Sequence, residues 1–135
     1  MLASFCLFET VMPQPTNTKK PFGQYGENLA VKHLQQGGYQ IVGRNWRCSL
    51  GEIDIIARHG TTLVFVEVRS RHTANTEAAF ESITPTKRSR MIALAHAWLA
   101  DHDAEDEDWR VDVVAIAQPR GGHPIIEHVE DALGW

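Results

Sequence analysis

Cysteine is scarce in this chain. The only two, Cys6 and Cys48, lie far apart and without metal-ligand spacing, which excludes a disulfide framework and a thiolate zinc site. No run approaches the roughly 18 apolar residues needed to cross a bilayer. The mildly apolar opening, MLASFCLFETVM, has neither a basic flank nor a small-residue cleavage site, so no signal peptide is read there. A cytoplasmic compartment and no membrane partner are the resulting expectations. Glycine-rich phosphate loops, a dinucleotide fingerprint and a Ser/His/Asp arrangement are all missing, and the seven histidines form no ligand pattern.

What is present fits one domain of 135 residues with its own core. The net charge of −4 opposes a polyanionic partner, but its distribution does not. Residues 1–98 carry 11 Lys/Arg against 7 Asp/Glu, and residues 99–135 carry 2 against 10. Contact with phosphate depends on local charge, so the first segment is the one able to face nucleic acid.

Residues 1–21 are polar and proline-bearing near their end, and are expected to form a disordered leader before a domain at 22–135. A helix is predicted over about 24–36. Its apolar face is Tyr25, Leu29, Ala30 and Leu34, and its stop is Gly37-Gly38. A strand over about 39–47 follows, then two β-rich runs in GEIDIIARHGTTLVFVEVRSR that meet at Gly60-Thr61, a pair suited to a type II′ hairpin loop. A polar loop leads to Thr84-Pro85, a cap and first position for a second helix. WRVDVVAIA and a weaker run over about 124–129 close the order α-β-β-β-α-β with one further strand, an α/β mixed sheet flanked by two helices.

The hairpin carries the chemistry. Alternation puts Glu52, Asp54 and Arg58 on one face of its first strand, opposite Ile53, Ile55 and Ala57. On its second strand Leu63, Phe65, Glu67 and Arg69 share a face. With Gly60-Thr61 as the loop, Asp54 falls opposite Glu67 and Glu52 opposite Arg69, with Cβ atoms about 5 Å apart. Two opposed carboxylates repel unless a cation neutralises them, and Mg²⁺ is commonly held by one or two carboxylates with water and phosphate. The alternative is a solvated face on which Arg58 and Arg69 pair with nearby acids.

Asp54 followed after a hairpin by Glu67-Val68-Arg69 resembles the D…(D/E)xK signature of the restriction-endonuclease-like PD-(D/E)xK fold. Glu27 in GQYGENLAVKHL is similar to the acidic residue on the first helix of archaeal Holliday-junction resolvases. More closely, GQYGENLAVKHLQQGGYQIVGRNWR, GEIDIIARHGTTLVFVEVRSR, KRSRMIALAHAWL and WRVDVVAI resemble the bacterial YraN family, from about residue 22 to the end. That resemblance implies a metal-dependent endonuclease hydrolysing phosphodiester bonds in DNA, branched or damaged DNA included. Asp54, Glu67 and the Val68 carbonyl would hold Mg²⁺ or Mn²⁺, with Glu27 in support and Arg69 at the place of the usual lysine.

Arginine keeps the charge and binds phosphate in a fork, but it exchanges protons poorly. Lys87 is the other candidate for the lysine's role. Arg44, Arg47, Arg71, Lys87, Arg88 and Arg90 flank the site in sequence as candidate phosphate contacts, each with solvated surface charge as its alternative. Asp112 reads as a supporting acid or as a core aspartate satisfied by Arg110 or a backbone N–H. A DNA-binding or adaptor protein without cleavage is the alternative function. Symmetric junction cleavage would suit a homodimer.

Overall fold

A computed structural model describes residues 19–133. Helix α1 spans Pro21–Gln36 and begins at a proline, whose fixed φ and missing N–H suit a first helical position. It therefore starts inside the stretch expected as leader, and residues 1–18 of that stretch lie outside the described residues. Strands β1 (Gln40–Cys48), β2 (Gly51–His59) and β3 (Thr62–Arg71) follow as an antiparallel meander. A short helix, α2 (Glu77–Glu81), interrupts the stretch expected to be loop, because Ala79 is fully buried and Phe80 packs on the core. Then come α3 (Pro85–Asp101), β4 (Trp109–Ala117) and β5 (Ile125–Val129).

The sheet order is β1-β2-β3-β4-β5, antiparallel everywhere except between β3 and β4. A parallel pair needs a crossover, and α2 and α3 supply it. This α/β arrangement, a five-stranded mixed sheet flanked by helices, is that of a restriction-endonuclease-like core. On one face Leu63, Phe65 and Val111 pack against Met91, Leu94, Trp98 and Leu99 of α3. On the other, Val64, Val66, Val114 and Ile116 pack against Ala30 and Leu34 of α1. No helix among the described residues is long and apolar enough to cross a membrane.

The turn chemistry follows the sequence. Gly60 has φ 61 and Thr61 stays outside the positive-φ region, the pattern of the expected type II′ loop. Gly38 ends α1 at φ 88. The Thr84 hydroxyl accepts from the Lys87 N–H at 3.1 Å and caps α3. Tyr25 departs from its expected role: it is 41% exposed and donates its hydroxyl to Gln118. Gly26 takes the buried position instead, because a Cβ there would lie 2.0 Å from the Ser70 hydroxyl oxygen. β1 also carries a bulge between Ile41 and Gly43.

Candidate carboxylate site

The β2–β3 ladder runs in the expected register from His59↔Thr62 to Ile55↔Val66 and then stops. Asp54 does not face Glu67 as a paired residue. Its Oδ2 accepts the Val68 N–H at 2.9 Å, so a side chain replaces the backbone acceptor where the strands part. On its other side, β2 pairs with β1 at Trp46↔Ile53 and Arg44↔Ile55, and again Asp54 is passed over. Asn45, the residue between, has φ 55, a conformation asparagine tolerates better than most residues.

This irregularity corrects the expected faces of β2. Ile55 and Ala57 pack on the α1 side, but Ile53 joins Ile56 on the α3 side. It also lets two consecutive residues, Arg44 and Asn45, reach one carboxylate. Arg44 donates to Glu27 Oε1 at 2.8 and 3.1 Å, and Asn45 Nδ2 donates to the same oxygen at 2.9 Å. Among the described residues Glu27 Oε2 is buried without a hydrogen-bond partner, and it lies 3.2 Å from the Lys19 ammonium.

Three acids are therefore buried near one another. Glu27 is 1% exposed, Asp54 6% and Glu67 7%. Burial, followed by the neighbouring Asp54 carboxylate, pushes Glu67 up to about 7 despite Lys87 and Arg69 beside it. Lys87 Nζ is 3.1 Å and Arg69 Nη1 3.3 Å from Glu67 Oε2. Arg69 is held in place by donating Nε to the Ser82 hydroxyl at 2.8 Å. The short helix α2 thus positions an arginine through the residue that ends it.

Glu52 and Arg69 were expected to face each other. They do not, because the ladder has ended before them. Glu52 instead lies 3.6 Å from Arg47 and 3.7 Å from Lys19. Lys19 Nζ is also 2.7 Å from Asp54 Oδ1. Burial acts to lower its pKa, but Asp54, Glu52 and Glu27 outweigh that and raise it.

A cleft of about 220 Å³ opens over this group, lined by Glu52, Asp54, Glu67, Arg69, Lys87 and Arg90 among others. Carboxylate oxygens around a cleft of that size are donors suited to a hard divalent cation. Among the described residues no three His, Cys, Asp or Glu side chains converge as a ready-made metal cage. The cleft thus offers separate carboxylates, Asp54 and Glu67 among them, rather than a closed cage.

The structure brings Glu27, Asp54, Glu67, Arg69 and Lys87 together, with Val68 backbone against Asp54 and Arg90 on the cleft wall. Arg44 is engaged by Glu27 and Asn28, and Arg47 by Glu52. Arg71 lines a second, adjoining cleft, and Arg88 is exposed on α3 and lines neither. Arg58 pairs with Glu107 at 2.8 Å, away from the acids.

Asp112 is a satisfied core residue rather than part of the site. It accepts from Arg110 Nε, His128 Nε2 and the Asp131 N–H at 2.8 to 3.0 Å. Lys19 and Asn45 are the contacts that sequence reasoning missed. Asn45 carried a signal, a residue tolerant of positive φ inside a strand. Lys19 carried none, since its partners are distant in sequence.

The model of the uncharacterised protein family UPF0102 matches residues 26–116. A UPF0102 protein of Roseiflexus castenholzii is 47% identical over 120 residues, covering 87% of this chain and 97% of the relative. One from Chloroflexus aurantiacus is 45% identical over 125 residues, covering 91% and 98%. One from Acidothermus cellulolyticus is 41% identical over 132 residues, covering 90% and 100%. The matched span runs from within α1 through nearly all of β4 and holds every acid of the site, so this chain belongs to the UPF0102 family, the YraN family that its motifs resemble.

Proposed function

We propose that this protein is a metal-dependent endonuclease acting on DNA. The observation that carries the reading is the buried Asp54–Glu67 pair: burial first, and the neighbouring Asp54 carboxylate second, push Glu67 up to about 7 although Lys87 and Arg69 lie beside it. An acid pair of that kind is stabilised by a hard cation, and Asp54, Glu67 and the Val68 carbonyl are the groups that would hold Mg²⁺ or Mn²⁺. Such an ion, when bound, lowers the pKa of an attacking water and draws charge from the scissile phosphate.

The chain's own residues supply the rest. Arg69, pinned by Ser82 and beside Glu67, lines the cleft, and its guanidinium suits a phosphate oxygen there. Lys87 reaches Glu67 from α3 and provides the ammonium that the motif's last position lacks. Its compact ammonium can orient a water and stabilise charge developing beside Glu67. Glu27, held through Oε1 by Arg44 and Asn45, keeps Oε2 3.2 Å from Lys19, and that oxygen would support the ion directly or through water. Arg90 extends the positive wall.

One observation favours a second reading, a DNA-binding protein that does not cleave. Lys19 already places an ammonium between Asp54 and Glu27, at 2.7 and 3.2 Å, and supplies positive charge to those acids without a metal.

Cleavage of single-stranded, duplex and branched DNA with Mg²⁺ or Mn²⁺ separates the two readings, with Asp54→Ala and Glu67→Ala run beside the wild type. Metal-dependent nicking lost in both variants supports the endonuclease. DNA binding without nicking by any folded protein supports the second reading.

A further inference from the structure

The acid site has a neighbouring cleft that extends beyond it. This cleft, of about 290 Å³, shares Lys19, Val68 and Arg69 with the first, is lined by Glu27 as well, and adds Lys20, Phe22 and Arg71. Two features meet at its edge. The first is charge: Lys20 is exposed, and Arg69 and Arg71 are partly so. Arg71 donates one N–H to the Ser70 carbonyl at 2.7 Å, which fixes its guanidinium at the end of β3.

The second feature is aromatic. The Phe22 ring stacks on His72 with centroids 3.7 Å apart and planes 19° apart. It also lies near-parallel to Tyr25, at 6.3 Å and 22°. His72 and Tyr25 are exposed, so the outer rings of this group meet solvent.

A flat aromatic group beside cations is the composition that holds an unpaired polynucleotide strand: rings take the bases and cations take the backbone. In a duplex each base face is covered by its neighbours, so such a platform is accessible only to a base that has left the stack or never had one. Resting on the nuclease reading above, we infer that the Phe22–His72–Tyr25 group and the cleft of Lys20 and Arg71 bind a single-stranded DNA segment next to the scissile phosphate. Lys19, Val68 and Arg69 line both clefts, so the two lie side by side. A strand whose phosphate sits at the acids reaches the rings by passing over those three residues. The substrate class that fits is DNA with an unpaired stretch beside the cut: a flap, a gap or a junction arm that has opened.

The test is fluorescence anisotropy on the full chain with EDTA present and low salt. Three probes are compared: a base-bearing single strand, an abasic single strand of the same length and charge, and the duplex of the first strand. The wild type is expected to prefer the base-bearing strand over the abasic one by roughly ten-fold, the scale of one base–aromatic stack, and over the duplex as well. Tyr25→Ala and His72→Ala, at exposed positions, should shrink that preference and leave the salt dependence unchanged. Arg71→Ala should flatten the salt dependence and keep the preference.

Equal wild-type affinity for base-bearing and abasic strands would overturn the inference and make the rings a packing contact only. Duplex bound as tightly as single strand would overturn it too. Absence of binding to all three probes would remove the DNA reading itself, a distinct outcome from binding without preference.

Discussion

The Asp54 carboxylate accepts the Val68 N–H at 2.9 Å, one residue beyond the last paired rung of the β2–β3 hairpin. Neither strand ends there. β3 continues to Arg71 against β4, and β2 reaches back to Gly51 against β1. The gap between them is therefore an opening inside the sheet, stitched by one side chain, and the acids gather at its mouth. Glu67 is costly to ionise first because it is buried and second because the opening brings another carboxylate, Asp54, near it.

Glu67→Gln should stabilise the protein at alkaline pH. A carboxyl raised from 4.5 to about 7 on folding contributes stability that is fully present below 4.5 and is lost as pH rises through about 7. Thermal melts from pH 4 to 8 are expected to show the wild type losing stability across that window and the variant losing less. Mg²⁺ added at pH 8 should raise the wild-type melting temperature and affect the variant less. Superimposable wild-type and variant curves would contradict this account of Glu67.

Lys19→Ala should tighten divalent-ion binding. The ammonium lies 2.7 Å from Asp54 and 3.2 Å from Glu27, so it competes for the same oxygens. Calorimetric titration with Mn²⁺ is expected to show a gain on the order of ten-fold, below the unscreened Coulomb value because the lysine is partly solvated. A loss of affinity would mean that Lys19 supports the site rather than competing in it.

Gly26→Ala should destabilise the fold by about 1 to 3 kcal/mol through overpacking. The added Cβ would lie 2.0 Å from the Ser70 hydroxyl oxygen and 3.1 Å from its Cβ. Ser70→Gly removes both atoms, so urea unfolding of the two single variants and the double should give a favourable coupling energy. Strict additivity would show that α1 and β3 relax apart freely.

Asp112→Asn should cost about 3 kcal/mol near neutral pH, the scale for breaking a buried charge pair. Burial pushes the Asp112 carboxyl up, but hydrogen bonds from His128, Arg110 and the Asp131 N–H outweigh it and leave it lowered. The stability it contributes is therefore present above the ordinary carboxylate range and is lost as pH falls through its lowered value. Urea midpoints of wild type and variant should converge in acid. A gap that persists there would assign the effect to packing.

Features set by a few neighbouring residues were legible in the sequence. The Gly60 loop, the Thr84 cap with Pro85 and the shared face of Glu67 and Arg69 all follow from local backbone preference and period-two alternation. Illegible features depended on distant partners. Alternation failed at Ile53 because Asn45, on the next strand, adopts positive φ and both ladders skip Asp54. Tyr25 fitted the apolar stripe of α1 and still faces outward, because the close approach to Ser70 admits only Gly26 on that side. Lys87 read first as a solvated helix-start lysine and only second as a substitute lysine, until the fold set it 3.1 Å from Glu67. Helix α2 was hidden in polar sequence, since only Ala79 and Phe80 reach the core.

The bulge between Ile41 and Gly43 bears on how copies of this protein meet. β1 is an outer strand of the sheet, and a flat outer strand is a template on which another chain extends the ladder. The extra residue, Val42, lies exposed and breaks the run of evenly spaced donors and acceptors along that border. A newcomer strand would match one half of β1 and fall out of step with the other. The same border carries Arg44 and Asn45, which fix Glu27, so blocking lateral growth there also keeps the support of the acid site from being pulled into a fibre-like contact.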